Sequence, residues 1–276
     1  MSEFSIADIV ADARYNTATG NTAANAERGT KPTGFIIWRG ASRIDGAPIV
    51  AIAIMHSTNG KTGDMIQVYF IRSDIPPMEA SRTGADVSIC GACHHRGKLV
   101  DGKLVGRSCY VTLFQGPRIV YDGFVRGIYP DISNDAAAIA LLAVGRYVRL
   151  GAYGDPASVP VSVLDTLLSS ASGHTGYSHQ WKAPRLRDTM RYCQASCDTQ
   201  ADVDKAKSLG FGIFYVTPAG APVPDGFILC PASEEAGKKV NCIDCLMCNG
   251  RGNYVSIGAH GAGATHVARR ALPVLS

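Results

Sequence analysis

Three short apolar segments open the chain's first third. They cover residues 35–38, 49–54 and 65–71, and the stretches between them contain the turn pairs Asp45-Gly46 and Asn59-Gly60. Apolar segments of this length, bounded by such turns, are typical of hairpin strands. The pattern therefore predicts three strands that pair antiparallel.

From residue 147 onward, strand-like and helix-like patterns alternate. A helix is predicted first, at 134–146, with Asp135 near its first turn. Strand patterns then lie at 148–153, 175–178, 192–196, 211–216, 227–229 and 254–258, and helical patterns near 160–170, 200–209 and 262–271. Such alternation is typical of parallel strands joined by crossover helices. The predicted fold class is α/β, a TIM-barrel-like or incomplete (β/α) barrel with an N-terminal β-rich section.

The 276 residues are enough for one large core. Residues 11–34 are rich in Ala, Thr, Asn and Gly and show no hydrophobic period, which predicts a polar arm. We therefore expect a flexible arm over residues 1–30 and a single α/β domain over 31–276. Within that domain, 31–130 is the β-rich part with a first cysteine set, and 131–276 holds the βα repeats with a second.

Composition excludes several classes of protein. Apolar residues make up 46% and charged residues 18% of the chain, as in ordinary globular proteins. The net charge of +4 permits contact with nucleic acid but is small for a dedicated binder. The sequence contains neither a signal-peptide pattern nor an apolar run of the ~18 residues that a membrane span needs. We expect a cytoplasmic protein with no membrane partner.

The C-terminal cysteines have the spacing of metal ligands. In a reducing compartment, nine cysteines are better explained as ligands or free thiols than as disulfides. Cys242, Cys245 and Cys248 are each separated by two residues, and the fourth ligand is either Cys230 or His260. Four thiolates suit zinc or a four-iron cluster, whereas three thiolates with a histidine favour zinc. The sequence therefore predicts a cysteine metal site here, with zinc as the cofactor and an iron–sulfur cluster as the alternative.

A second candidate metal set lies in the first half of the chain. Cys90, Cys93 and Cys109 lie in and just beyond a glycine-rich, basic stretch at 90–107, which predicts a loop around a ligand set, with His94 or His95 as the fourth ligand. One joint site, completed by a cysteine of the later half, is the other interpretation. The remaining thiols, Cys193 and Cys197, are expected to be packed in the core.

Polar residues follow the predicted strands. In sheets and barrels of parallel strands, the loops at the carboxyl ends build the active site. Asp155 and Asp198 are candidates for nucleophilic or acid–base work, with helix capping as the alternative, and His179 is a candidate acid or base. The full set of strand-end residues is Asp155, His179, Asp198, the pair Ser233 and Glu234, and His260.

Basic and aromatic residues are interleaved between residues 96 and 126. Such a strip favours contact with a polynucleotide backbone, and a solvated rim around the first cysteine set is the alternative. The strip comprises Arg96, Lys98, Lys103, Arg107, Arg118 and Arg126 with Tyr110, Phe114, Tyr121 and Phe124.

Several motifs, taken in order, resemble a family of uncharacterised phage and prophage proteins, which is distantly similar to the guanine transglycosylases. The likeness spans residues ~30–262. Its motifs are Ser88-Ile-Cys-Gly-Ala-Cys93, Cys109-Tyr-Val, Arg149-Leu-Gly-Ala-Tyr-Gly-Asp155-Pro, Thr175-Gly-Tyr-Ser-His-Gln-Trp181, Cys230-Pro-Ala-Ser-Glu234 and Ala259-His-Gly261.

The resemblance implies a zinc-bearing barrel that exchanges guanine for a 7-deazaguanine base in phage DNA, inside the host cytoplasm. It implies Asp198 as the nucleophile at the sugar C1′ and Asp155 as the acid or base that handles the purine. The late cluster, Cys-x2-Cys-x2-Cys, differs from the Cys-x-Cys-x2-Cys…His zinc pattern of the transglycosylases. The implied substrate-binding residues are Tyr153, Tyr177, Trp181, Ser233 and Glu234.

Two other functions remain open from the sequence. The first is an iron–sulfur enzyme of the redox or radical type, although the usual radical motif, Cys-x3-Cys-x2-Cys, is absent. The second is a non-enzymatic, zinc-containing protein that binds nucleic acid. The expected partners of the transglycosylase are DNA and a modified purine base.

Overall fold

The N-terminal strands form the predicted antiparallel meander. The structure is a computed structural model, which describes residues 32–237, 240–261 and 263–271. Strands β1 (Gly34–Ala41), β2 (Pro48–Ile54) and β3 (Ile66–Arg72) pair antiparallel in chain order. β2 and β3 are buried along most of their length, which explains their nearly continuous apolar sequence. The predicted arm over residues 1–30 lies outside the described residues.

A helical and hairpin segment separates this meander from the parallel strands. It contains α1 (Pro77–Thr83), α2 (Val87–Cys90), the hairpin of β4 (Lys98–Val100) and β5 (Lys103–Val105), α3 (Gly116–Val125) and α4 (Ala136–Leu142). The prediction of a plain loop at 90–107 is wrong over the hairpin. Its turn is the pair Asp101 and Gly102, both with positive φ, and Asp-Gly is a favoured hairpin turn.

The alternating pattern beyond residue 147 is confirmed. The helix predicted just before this pattern is present as α4, and Asp135 caps it by accepting a hydrogen bond from the Ala138 amide. The later elements are β6 (Tyr147–Tyr153), α5 (Val161–Leu168), β7 (Gly173–Thr175), β8 (Tyr177–Ser178), β9 (Gln194–Cys197), α6 (Gln200–Ser208), β10 (Ile213–Thr217), β11 (Ile228–Leu229), α7 (Cys242–Cys245), β12 (Tyr254–Gly258) and α8 (Ala264–Ala271).

The strands form two five-stranded sheets and a two-stranded hairpin. One sheet has the order β1-β2-β3-β6-β7, and the other has the order β11-β12-β10-β9-β8. Only Gly176 separates β7 from β8, so a single segment passes from the first sheet into the second. All neighbouring pairs from β3 onward are parallel in both sheets. The protein is thus mixed α/β, and its described strands do not close into a barrel.

The carboxyl end of β6 makes a tight turn that positions the residues after it. Gly154 has a φ of +80°, and a Cβ at this position would lie 2.5 Å from the Phe70 carbonyl oxygen. Only glycine meets both demands without strain. The turn delivers Asp155 into the interior directly after the strand. No helix within the described ranges is long and apolar enough to cross a membrane.

Candidate functional site

A cavity of about 310 Å³ lies against the parallel strands of both sheets. Strands β6, β8, β9, β10 and β12 all contribute to its wall, and cysteines from both ends of the chain open onto it. Its polar and aromatic lining includes Lys61, Cys90, Cys93, His95, Cys109, Tyr110, Arg149, Tyr153, Asp155, Tyr177, His179, Cys230, Cys242 and His260. A concave space with a few convergent polar groups is the usual form of a ligand site.

The late cysteines lie near one another in the described part of the chain, but no three of the four sulfurs lie within 4.8 Å of one another. Cys242 and Cys245 lie at the two ends of α7, and Leu246, with a φ of 50°, ends that single turn. Backbone hydrogen bonds hold the other two thiols in place. The Cys230 amide donates to Ser256 of β12, and the Cys248 carbonyl accepts from Gly176 between β7 and β8. We call Cys230, Cys242, Cys245 and Cys248 the four-cysteine group.

These thiols influence one another electrostatically. Burial raises the pKa of Cys230, Cys242 and Cys248, in the last case to about 12, and neighbouring thiols of the group raise each of them further. Thiols with raised pKa values stay protonated unless a cation replaces the protons. The four thiols are therefore close enough to affect one another's pKa values.

Cys230, rather than His260, is the fourth member of this group. The Cys230 thiol contributes to the pKa values of both Cys242 and Cys248. His260 instead lies against Tyr110, with ring centroids 5.6 Å apart, and its Nδ1 is 3.2 Å from the Gly258 carbonyl oxygen. The prediction of His260 as a ligand of this set is therefore not supported by the structure, although its side chain does line the cavity.

Two basic side chains flank the four-cysteine group. The Arg149 guanidinium is buried, its Nη2 lies 3.1 Å from the Tyr110 hydroxyl, and its Cζ lies 5.5 Å from the centre of the Tyr177 ring. No described carboxylate lies within 4.0 Å of it. Arg149 and Lys61 both lower the pKa of Cys242. A buried cation needs an anionic neighbour, and deprotonated cysteines would supply it.

The first cysteine set also comes together. Cys90 ends α2, and the Cys93 amide donates to its carbonyl, while the Cys109 amide donates to the carbonyl of His95. Burial raises the pKa of Cys90, and the neighbouring Cys93 and Cys109 raise it further. Gln180 Nε2 donates to the Cys90 carbonyl and fixes this wall to the segment after β8. The set remains a second candidate for a metal.

Asp198 lies behind the cavity wall, in contact with two histidines that line it. Its Oδ1 is 2.9 Å from His95 Nε2, and its Oδ2 is 3.3 Å from His179 Nε2. Burial alone would raise the pKa of Asp198, but His179 and His95 hold it far below its usual range. Burial likewise opposes protonation of His179, yet Cys93 and Asp198 raise its pKa well above the ordinary value. Each group therefore stabilises the charged form of the other.

Both carboxylate oxygens of Asp155 accept two hydrogen bonds, which favours the capping interpretation over the catalytic one. Its Oδ1 accepts from the Ala157 amide at 3.0 Å and from the Ser178 hydroxyl at 2.8 Å. Its Oδ2 accepts from the His179 amide at 2.8 Å and from Gln180 Nε2 at 3.2 Å. Burial raises the pKa of this carboxyl, and the bonds from Ala157 and Ser178 oppose that rise. Asp155 thus accepts from the backbone amide of His179, while Asp198 contacts the ring of the same residue.

Of the five predicted substrate-binding residues, two line the cavity and three do not. Tyr153 and Tyr177 line the cavity. Trp181 is completely buried, and its indole donates to the Ser196 carbonyl at 2.8 Å, so the prediction that it stacks on a base is wrong. Ser233 and Glu234 begin a short 3-10 helix, where the Ser233 hydroxyl caps the Ala236 amide. Their positions follow from local helix capping, which the sequence pattern does not separate from substrate contact.

Further cavity residues were missed or left unassigned by the sequence. Lys61 follows Asn59-Gly60, which reads as a plain turn, yet its carbonyl accepts from the Cys242 amide. Arg149 lies within a strand pattern and gave no signal beyond its charge. The basic and aromatic residues between 96 and 126 do not all lie on one exposed surface, because Tyr110 and Phe114 are exposed while Tyr121 is buried in the core.

Comparison with known protein families, with curated proteins and with solved structures finds no match to this chain.

Proposed function

We propose that this protein is an iron–sulfur enzyme that holds a cluster on Cys230, Cys242, Cys245 and Cys248 beside a substrate cavity. The observation that carries the proposal is the shared cavity, because Cys230 and Cys242 of the four-cysteine group line the same space as the first cysteine set. We further propose that the two sheets act as an incomplete (β/α) barrel, with the cavity on its inner side.

The spacing of the four sulfurs is wider than a single zinc ion requires. A tetrahedral zinc with Zn–S bonds of about 2.3 Å holds its sulfurs only about 3.8 Å apart. Within the described residues, no three of the four sulfurs lie within 4.8 Å of one another. An iron–sulfur cluster is itself several atoms wide, so its thiolates stand farther apart. The Cys-x2-Cys-x2-Cys part of the motif agrees with ferredoxin-type sites, but their Cys-Pro pair follows these cysteines, whereas Cys230-Pro231 precedes them.

The charges around the group support the same cofactor. A cluster bound by four thiolates is an anion, and its reduction adds a further negative charge. Arg149 and Lys61 are the cations that already lower the pKa of Cys242. They would stabilise the reduced cluster and so raise its reduction potential, because net charge and burial set that potential. The adjoining cavity would place a substrate within reach of electron transfer.

The decisive experiment is anaerobic purification of the full chain, followed by assays for iron and acid-labile sulfide. We expect brown protein with about four iron and four sulfide per chain for one cluster. Cys242→Ala combined with Cys245→Ala should remove the colour and most of the iron. Cys193→Ala is the matched control, because this thiol is fully buried in the main core and no other cysteine affects its pKa.

Colourless wild-type protein with one zinc per chain would contradict the proposal. In that case, loss of the zinc from the double variant would assign the four-cysteine group to a structural zinc, as the transglycosylase resemblance implies. Iron that persists in the double variant at the wild-type level would also contradict it.

A base-exchanging transglycosylase acting on DNA is the second candidate. Asp198 favours it, because this carboxylate is ionised, follows β9 at its carboxyl end, and leaves its Oδ2 without a hydrogen bond. Asp198→Asn should then abolish incorporation of a 7-deazaguanine base into DNA, as measured by nucleoside mass analysis. Asp188→Asn, at a surface pair with Arg43, is the control. Full activity of Asp198→Asn would exclude Asp198 as the nucleophile.

A further inference from the structure

Three side chains from separate parts of the chain meet at the cavity wall. His95 lies in the 3-10 helix His94–Arg96, His179 directly follows β8, and Asp198 directly follows β9. In the part of the chain that the structure describes, they form the only set of three His, Cys, Asp or Glu ligand atoms that all lie within 4.8 Å of one another. The two histidines face the cavity.

The contacts within this set are those of neighbouring ligands on one ion. Asp198 Oδ1 is 2.9 Å from His95 Nε2, and Asp198 Oδ2 is 3.3 Å from His179 Nε2. With ligand bonds of about 2.1 Å, neighbouring donor atoms in a metal shell lie about 3.0–3.4 Å apart. The observed distances therefore need little adjustment to accept an ion.

Two atoms of the set are buried without a hydrogen bond. His179 Nε2 and Asp198 Oδ2 are 3.3 Å apart, yet neither makes a hydrogen bond of acceptable angle with any group. Buried polar atoms are nearly always satisfied, so such a pair needs an explanation. The two atoms form an ion pair when His179 is protonated. A cation that replaces the proton on His179 Nε2 would instead receive a lone pair from each atom and satisfy both.

Surrounding groups hold the set in position. His95 Nδ1 is 2.9 Å from the Ser108 hydroxyl, so the second nitrogen of this ring already has a partner. The Asp198 amide donates to Asp202 Oδ2 at 3.3 Å, and Lys182 pairs with the same Asp202 at 2.6 Å. Partners of this kind fix the orientation of metal-binding side chains.

We propose that His95 Nε2, His179 Nε2 and the Asp198 carboxylate bind one divalent first-row transition metal ion. Two histidines and one carboxylate leave coordination positions open toward the cavity, where a water molecule or an anionic substrate can bind. The ion would act there as a Lewis acid or activate a bound water. The site uses no cysteine and is independent of the iron–sulfur proposal.

The test is a titration of the full chain with Mn²⁺, followed by electron paramagnetic resonance of the free ion. Mn²⁺ prefers oxygen and nitrogen ligands over thiolates, so it discriminates this set from the cysteines. We expect one ion per wild-type chain, and binding at least tenfold weaker in Asp198→Asn and in His179→Gln. His56→Gln is the matched control, because His56 pairs with Asp64 at 3.2 Å without a second histidine.

Two further variants keep the test decisive. Ser108→Ala removes only the partner of His95 and should weaken binding about tenfold without touching a ligand. Cys242→Ala with Cys245→Ala should leave Mn²⁺ binding unchanged, whatever the fate of the iron. The proposal is overturned if wild-type protein takes up neither Mn²⁺ nor Co²⁺. It is also overturned if Asp198→Asn and His179→Gln, shown to be folded by circular dichroism, bind the ion like the wild type.

Discussion

Replacing Asp155 with asparagine tests whether this carboxylate is structural or catalytic. The carboxylate accepts four hydrogen bonds, two on each oxygen, from Ala157, Ser178, His179 and Gln180. An amide keeps only one of the two oxygens. Whichever way the asparagine turns, its NH₂ group faces donors where the wild type presents an acceptor, and backbone N–H groups cannot reverse their role.

The expected loss follows from these contacts. A buried donor left without an acceptor costs about 1–3 kcal/mol, and hydrogen bonds to a charged group contribute about 1.5–3 kcal/mol each. We therefore expect Asp155→Asn to lower the free energy of unfolding by about 2–5 kcal/mol. Urea unfolding followed by circular dichroism measures this difference, and an unchanged m-value shows that the unfolding reaction is the same.

The control is Asp188→Asn. Asp188 pairs with Arg43 at 2.9 Å, and its side chain is 38% exposed. Exposed ion pairs contribute about 0–1 kcal/mol, so this variant should unfold close to the wild type. If Asp155→Asn were as stable as Asp188→Asn, the structural role of Asp155 would be refuted. If Asp155→Asn were fully stable but inactive, the catalytic interpretation of Asp155 would be supported instead.

Three further outcomes are expected. Gly154→Ala should destabilise the fold by about 2 kcal/mol or more in the same urea assay, because it adds left-handed strain and a clash with the β3 backbone. Burial lowers the pKa of His174, so protonation below about pH 6.5 favours the unfolded chain and stability falls as the pH drops. His174→Gln should therefore lose less stability than the wild type between pH 7.5 and pH 5.5, and an equal loss would count against this cause. If the protein carries the proposed iron–sulfur cluster, Arg149→Gln should lower the cluster's reduction potential in a redox titration. An unchanged potential would show that the guanidinium is too far from the cluster to affect it.

Local patterns in the sequence were enough to identify most elements of the fold. The meander of β1 to β3 and the alternation after residue 147 follow from apolar runs and turn residues, which act over a few positions. The helix cap at Asp135 is local in the same sense. The hairpin at residues 98–105 was missed, although its Asp101-Gly102 turn is a recognisable signal.

Only the part of the candidate site whose residues lie close together in the chain could be predicted. Cys242 and Cys245 lie at the two ends of one helical turn because two residues separate them, and Cys248 follows shortly after the turn ends at Leu246. The choice of Cys230 over His260 needed the pairing of β11 with β12. Spacing alone does not state which distant residue completes a set.

Strand order and burial decided the remaining roles. Whether a strand-end carboxylate is free or fully bonded depends on the donors that neighbouring strands bring to it, and Asp155 receives two of its four from the segment after β8. The meeting of His95, His179 and Asp198 likewise depends on β8 lying beside β9 and on a loop from the first half of the chain folding over both. Hydrophobic periodicity is read within one element, whereas such contacts join elements far apart in sequence, so only the tertiary structure determines them.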